Sequence, residues 1–312
     1  MAAETFEEFT KENSLYRTAY EHLDSASRLL ATSAQLVYEL HPGEVRPVAN
    51  DILPFVQHAY SNNYIDTYIS RISEMAKLQE KFDANPSAST LGDGSVIPAD
   101  AYSLSLLLSI LFTNHRFEIM QMLRRFLSEL RSKTVGRIAS IGCGTGYELK
   151  LTAETLPDWE IEGYDIDEEM RAGAERFLEF SRILKKINFA EAFPLHEATS
   201  EVAKRYDAII LCEVLEHLPE PARALATLRE CLSDRGLLFV TMAINIAQED
   251  HVFLYPDIES CRQQIRENGL HVQSEWLAPQ TISFPPANRE AGFKKGNYIA
   301  VVAKGIKKTS SN

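Results

Sequence analysis

The sequence predicts an α/β protein: a mostly parallel sheet covered by helices on both faces, preceded by a helical N-terminal region. Three observations carry that prediction. Residues 1–132 hold almost no strand signal and repeat apolar side chains at helical spacing. From Arg137 onward, short apolar runs alternate with helical patterns, the order expected of a parallel sheet. Between the first of those runs and the helix after it lies a turn dense in glycine, Gly142-Cys143-Gly144-Thr145-Gly146.

The elements follow in order. The stretch Leu15–Leu40 places Tyr16, Ala19, Leu23, Ala26, Leu29 and Leu30 on a helical face until His41-Pro42-Gly43 breaks it. A second helix is expected after Pro47 and a third from Ile65 to Phe82. Residues 83–98 are rich in Asn, Pro, Ser, Gly and Asp and read as a loop, long enough to serve as a lid or binding segment. Helical spacing resumes over Tyr102–Leu130. Strands are then expected at 138–141, 159–164, 187–190, 207–212, 236–242, 271–276 and 298–303. Helices are expected between most of them, at 147–155, 168–184, 222–232 and 258–268.

A chain of 312 residues exceeds the usual single core, so one large domain or two unequal ones are expected, and the change of period favours two. These are a helical cap over 1–132, a sheet domain over 133–305 and a polar tail over 306–312. The apolar share of 45% and charged share of 24% exclude dominant disorder and a fibrous repeat. With 32 basic against 44 acidic side chains the net charge is −12, so phosphate-rich partners are repelled and neither nucleic acid nor a membrane is expected. The acidic start lacks the apolar stretch of a secretory signal. The longest apolar run, Leu104–Phe112, is too short to span a bilayer and reads as a buried helix. Cys143, Cys212, Cys231 and Cys261 are irregularly spaced, which suggests neither a zinc knuckle nor a disulfide framework; a reducing cytoplasm is the simplest compartment.

The glycine turn follows a strand and opens a helix, where backbone must approach a ligand closely. Its spacing is Gly-x-Gly-x-Gly. A dinucleotide fingerprint needs a further glycine at 147, and that position is Tyr147, so a ligand without a pyrophosphate fits better. The second strand ends in Gly163-Tyr164-Asp165-Ile166-Asp167. Asp165 stands about where a doubly wound fold puts a carboxylate on a ribose diol, and Ile166 beside it can pack on an adenine face.

Four segments, Ser140–Gly146, Gly163–Asp167, Tyr206–Leu218 and Arg235–Val240, resemble the class I S-adenosylmethionine-dependent methyltransferases. The resemblance covers about residues 133–305. It implies a Rossmann-like seven-stranded methyltransferase sheet with an antiparallel seventh strand, and S-adenosyl-L-methionine as cofactor. It implies further that Gly142, Cys143, Gly144 and Gly146 lie under the cofactor, that Asp165 holds its ribose, and that Cys212 and Glu213 border its methionine part. Ser140 stands where the family commonly has an acidic residue on the cofactor amine, so the hold on that amine is expected to be weaker. Asn188, Glu191 and Glu197 stay open as the adenine contact after strand three.

Methyl transfer from a sulfonium asks mainly for alignment, exclusion of water and, for some acceptors, removal of a proton. Glu213, His217, His251 and Tyr164 are the candidate catalytic groups, the imidazoles because they titrate near neutral pH. Glu213, Glu216 and His217 fall on one face if helical. With His251 they are similar to the metal site of some methyltransferases acting on RNA ribose hydroxyls. Leu-Glu-His is also an ordinary start to the helix after strand four, and no metal is expected. In the cap, Tyr16, Tyr20, Tyr60, Tyr64 and Tyr68 could offer aromatic faces to a cation, although tyrosines at helical spacing are more often core. Arg116, in Asn114-His115-Arg116, could clamp the cofactor's carboxylate, or belong to a solvated surface cluster.

The leading expectation is a small-molecule methyltransferase with a helical cap over the cofactor cleft, acting on an amino acid or secondary metabolite. The second uses the same cofactor differently. A large aromatic cap over such a core also resembles azetidine-2-carboxylate synthases, in which the cofactor's own amine attacks its γ-carbon and methylthioadenosine leaves. Serine at 140 suits that reaction, because an amine held by a carboxylate stays protonated. The third is a non-catalytic cofactor- or partner-binding protein. Oligomeric state is not encoded legibly.

Overall fold

The structure is a computed structural model that describes residues 4–26, 28–60, 63–85, 87, 97–195, 205–279 and 297–305. Glu197, most of the loop expected at 83–98 and the tail 306–312 lie outside the described residues.

Seven helices come first: α1 (Phe6–Glu12), α2 (Ser14–Ala26), α3 (Arg28–Leu40), α4 (Val45–Ala59), α5 (Tyr64–Ala84), α6 (Ala99–Phe112) and α7 (Asn114–Leu130). Three expectations need correction. The stretch 15–40 is two helices, α2 and α3, packed on one another. Helix α4 begins before Pro47, because a proline in the first turn gives up an N–H that has no intrahelical partner anyway. The stretch 102–130 breaks at Thr113, whose backbone is extended at φ −132° and ψ 131°. The Thr113 hydroxyl donates back to the Ser109 carbonyl at 2.8 Å, closing α6 and leaving Asn114-His115-Arg116 as the first turn of α7. Helix α6 is apolar nearly all round and is wedged among α3, α4, α5, α7 and a sheet-domain helix. No helix among the described residues is long and apolar enough to cross a membrane.

The sheet domain runs β1 (Arg137–Ile141), α8 (Tyr147–Thr155), β2 (Glu160–Tyr164), α9 (Glu168–Phe180), β3 (Ile187–Ala190), β4 (Tyr206–Leu211), α10 (Pro221–Cys231), β5 (Leu232–Ile244), α11 (Ile258–Glu267), β6 (Leu270–Pro279) and β7 (Asn297–Gly305). The strand order is β3-β2-β1-β4-β5-β7-β6. Strands β1 to β5 are parallel, and β7 inserts antiparallel between β5 and β6. The seven-stranded Rossmann-like sheet and its antiparallel last strand are therefore as expected. The ligand crevice of such a sheet lies at the carboxyl ends of the strands, where the order reverses between β1 and β4.

Side-chain alternation divides the core in two. Ala208 and Ile210 of β4 point to one face and Ile209 and Leu211 to the other. The first face shares a continuous cluster with the N-terminal helices, through Phe126 of α7 against Phe239 of β5, ring centroids 5.4 Å apart. The second is covered by α10 and α11. Helix α7 packs on α8, β5, β6 and β7, so it is a layer of the sheet domain as much as of the cap.

Candidate active site

At the end of β1 the chain turns under the crevice. The Cys143 N–H donates to the Tyr164 carbonyl at 2.9 Å, which ties the turn to the end of β2. Gly142 has φ +66°, and a Cβ there would lie 2.5 Å from Val214 Cγ2. Gly144 has φ +49°, and a Cβ there would point at Leu106 and Met170 across the crevice, 3.8 Å from each. Gly142 is therefore required by packing as well as by its backbone, whereas at Gly144 the left-handed backbone favours glycine and the missing side chain leaves the crevice open.

Asp165 sits at the other side of the turn, half-buried. The Gly144 N–H donates to its Oδ2 at 2.9 Å and the Asp167 N–H to its Oδ1 at 3.1 Å. Burial pushes its carboxyl up, and those two backbone donors pull it back down. A carboxylate fixed by two N–H groups still has lone pairs for a diol. Asp167, not Asp165, caps α9, accepting from the Glu169 and Met170 N–H groups. Ile166 stands at the rim, 85% exposed, with a free apolar face.

Between this turn and the cap lies a cavity of about 380 Å³, within the usual range for small-molecule sites. Its floor is Gly142, Cys143, Gly144 and Thr145; Asp165 and Ile166 close one end. Tyr102, Leu106 and Arg116 come from the cap, and Cys212, Glu213 and His217 from the end of β4. A smaller compartment of about 60 Å³ adjoins it, sharing Tyr102, Leu106, Arg116, Glu213 and His217. Its further walls include His115, Glu216, His251 and Tyr298.

Arg116 is buried and ion-paired with Glu213, which excludes the alternative of a solvated surface cluster. Glu213 reaches it from a left-handed backbone, φ +52°, held by its N–H donating to Thr241 Oγ1 at 2.8 Å. Arg116 Nε and Glu213 Oε1 have no hydrogen-bond partner, although both are buried. Buried polar atoms are normally satisfied, so a donor and an acceptor stand ready for a polar ligand. Glu148, in the first turn of α8, lines the same cavity, and burial pushes its carboxyl up. The Cys143 and Cys212 thiols are likewise pushed up by burial and stay protonated walls.

Two segments distant in sequence meet in the smaller compartment. The Val252 and Phe253 N–H groups both donate to the Glu216 carbonyl at 2.9 Å. His217 Nδ1 lies 3.0 Å from the Asp250 carbonyl, and His251 Nδ1 lies 3.0 Å from the Ile246 carbonyl. The two imidazoles meet edge to face with centroids 5.0 Å apart. Burial drops the His251 pKa to about 4, and the neighbouring His217 charge adds to the drop. The cap fastens this loop: Gln79 donates to the Asn245 carbonyl and accepts from the Ala247 N–H, and Arg71 pairs with Glu249. Tyr102 hydrogen-bonds Asp250.

Several expected site residues stand elsewhere. Ser140 is buried within β1 and Gly146 forms the left-handed cap of α8; neither lines the cavity. Tyr164 contributes its ring as a wall, but its hydroxyl bonds to Glu162 at 2.5 Å and to the Tyr206 hydroxyl, so it is not the proton acceptor. His251 faces the smaller compartment only. Tyr16 and Tyr68 are cap core, and none of Tyr16, Tyr20, Tyr60, Tyr64 or Tyr68 lines either cavity. Asn188 and Glu191 do not line the larger cavity; Phe193 and Leu195 do. The cap tyrosine that does reach the cavity, Tyr102, escaped the sequence reading. Its signal was Tyr102, Ser105, Ser109 and Thr113 recurring at i, i+3, i+7 and i+11 in an otherwise apolar helical run.

A family described as a methyltransferase domain matches residues 112–287. An uncharacterized protein of Synechococcus is 30% identical over 42% of this chain and 28% of its own length. A trans-aconitate 2-methyltransferase of Rhodopseudomonas palustris is 27% identical over 42% of this chain and 48% of its own. The chain thus spans half or less of these two relatives. An O-methyltransferase of a trans-AT PKS multienzyme of Brevibacillus brevis, solved with S-adenosyl-L-homocysteine, superposes with a TM-score of 0.48 at 16% identity, over 60% of this chain and 72% of that one.

Proposed function

The chain belongs to the methyltransferase-domain family of S-adenosylmethionine-dependent enzymes, and on that premise we propose that it transfers a methyl group to a small molecule enclosed beneath its helical cap. The observation that carries this reading is the two-part cavity. One end offers backbone and Asp165 to a nucleoside, and the other offers Arg116, Glu213 and Glu148 to a zwitterion. The cradle at Gly144, which a Cβ would fill, and the unpartnered Arg116 Nε and Glu213 Oε1 fit S-adenosylmethionine. When bound, that cofactor supplies an electrophilic methyl on a sulfonium.

In this reading Asp165 accepts from the ribose diol and Ile166 covers the adenine. Arg116 orients the carboxylate, with Glu213 opposite the amine. Tyr102 and Leu106 exclude water, which strengthens these charged contacts. His217, which alone of the two imidazoles lines both compartments, takes the acceptor's proton where one must leave. The small second compartment has room for only a few non-hydrogen atoms, which limits the acceptor's reacting end to something compact. We further propose a functional seam between cap and sheet domain at Thr113, ahead of the boundary expected at 132, because α7 carries Arg116 and covers the sheet. The family match, beginning at residue 112, supports the same division.

That same scarcity of space favours a second reading, the intramolecular one. With no second substrate, the cofactor's amine closes on its own γ-carbon, giving azetidine-2-carboxylate and methylthioadenosine. Incubation with S-adenosylmethionine alone, read by mass spectrometry, separates the two. Methylthioadenosine with a cyclic amino acid sinks methyl transfer. No turnover until an acceptor is added, followed by S-adenosylhomocysteine, sinks the cyclase.

A further inference from the structure

Glu216 is 1% exposed, and neither of its carboxylate oxygens has a hydrogen-bond partner from another residue. A carboxylate stripped of water and left unpaired is among the costliest arrangements a protein interior can hold. Two imidazoles face it, and the Arg116 guanidinium, already paired with Glu213, adds only a weaker charge interaction. Glu216, His217 and His251 each offer one ligand atom, and these atoms all lie within 4.8 Å of one another.

We propose that Glu216, His217 and His251 form a binding site for a divalent transition-metal ion, with the remaining positions open to an oxygen of the substrate. One carboxylate and two imidazoles suit zinc, iron(II), manganese or cobalt rather than calcium or magnesium, which take all-oxygen sets. The ring orientations support the assignment independently. Each imidazole has Nδ1 held at 3.0 Å by a backbone carbonyl, Asp250 for His217 and Ile246 for His251. That contact leaves Nε2 of each ring, when neutral, as the free ligand atom, as metal-bound histidines commonly have it. Ligands around one ion at bonds of about 2.1 Å stand about 3.0–3.4 Å apart, so the three side chains would draw together on binding from a separation within 4.8 Å.

The position gives the ion a use. His217 lies on the wall common to both compartments, and Glu213 Oε1, unpartnered, lies on the same wall. An acceptor hydroxyl or carboxylate entering the smaller compartment would complete the coordination beside the place proposed for the sulfonium. The inference deepens the proposed function at its acceptor end and rests on it for that use, with the ion polarising the acceptor in place of His217 as proton acceptor; metal binding itself does not rest on it. It also departs from the expectation of no metal drawn from the sequence.

The test is run on the full chain without S-adenosylmethionine, so its outcome is separate from that of the functional reading. Chelator-stripped protein, checked for fold by circular dichroism, is titrated with cobalt(II) and, separately, zinc. One equivalent per chain is expected, with visible cobalt bands and X-ray absorption of the zinc form showing two imidazoles. Glu216→Gln and His251→Gln should each weaken binding at least about tenfold to a hundredfold. If the variants misfold, the wild-type stoichiometry and absorption spectrum decide alone. Less than a tenth of an equivalent bound to folded wild type, a zinc shell without imidazole, or a folded Glu216→Gln that binds as tightly as wild type would overturn the proposal.

Discussion

The two ends of the cavity are built in opposite ways. The glycine-loop end is made of two short segments, 142–146 and 163–167, and is held mostly by backbone: Cys143 to Tyr164, Gly144 to Asp165. The cap end is made of side chains from three regions far apart in sequence, Tyr102 and Arg116, Glu213–His217, and the loop carrying His251. Backbone-built sites are rigid and indifferent to what surrounds them. Side-chain-built sites depend on the packing of everything behind them, and here that includes Gln79 and Arg71 of the cap. One end therefore suits a fixed cofactor, and the other is where a particular chemistry can be chosen.

The contrast breaks most visibly at Arg116. Arg116→Met leaves the Glu213 carboxylate buried without its partner and should cost about 3–5 kcal/mol of stability, read from urea unfolding. Adding Glu213→Leu should restore most of the stability but not cofactor affinity. A single variant as stable as wild type would mean that the pair is solvated and the cap end loosely built. At the backbone-built end, Gly142→Ala meets both a left-handed φ and the Val214 side chain. About 2–4 kcal/mol of destabilisation is expected, with cofactor binding lost alongside it. Normal unfolding of that variant would show the turn to be softer than drawn.

Asp165→Ala sharpens the comparison, because the effect should fall on binding more than on folding. Affinity for S-adenosylhomocysteine should weaken by about 1–3 kcal/mol by calorimetry; an unchanged constant removes the ribose assignment. The smallest effect concerns pH. His115, stacked on Tyr298 at 4.5 Å, has its pKa dropped to about 3 by burial, with the Arg116 charge adding to it. Because its folded value lies below the unfolded value of about 6.5, the unfolded chain takes the proton first and stability falls as pH drops. Between pH 7.5 and 5.5 the loss should be about 1.4 kcal/mol, continuing toward pH 3. His115→Phe should flatten that slope; an identical slope would show that the ring is protonated in place.

The same contrast explains what the sequence made legible. The strand–turn–helix around Gly142–Gly146 and the acidic end of β2 are local patterns, and the structure has the strand, turn and helix where their spacing predicts them. Cap helices were legible as helices, but not which faces meet. Tyr16 and Tyr68 have the helical spacing of ligand-facing residues and are core, whereas Tyr102 lines the cavity. Ser140 and Tyr164 sit beside the site in sequence, yet strand alternation and the bond to Glu162 turn their polar atoms away from it. Glu216 and His251 are grouped in the sequence only by resemblance to a known metal site; folding puts them face to face, through the Val252 and Phe253 bonds to the Glu216 carbonyl. Nothing local encodes a contact across thirty-five positions.

The most direct test is a crystal structure of the full chain with S-adenosylhomocysteine. The account predicts the ribose hydroxyls within hydrogen-bond distance of Asp165, the carboxylate on Arg116 and the thioether directed toward His217. A ligand lying elsewhere, or a nicotinamide nucleotide preferred in the same crevice, would contradict it.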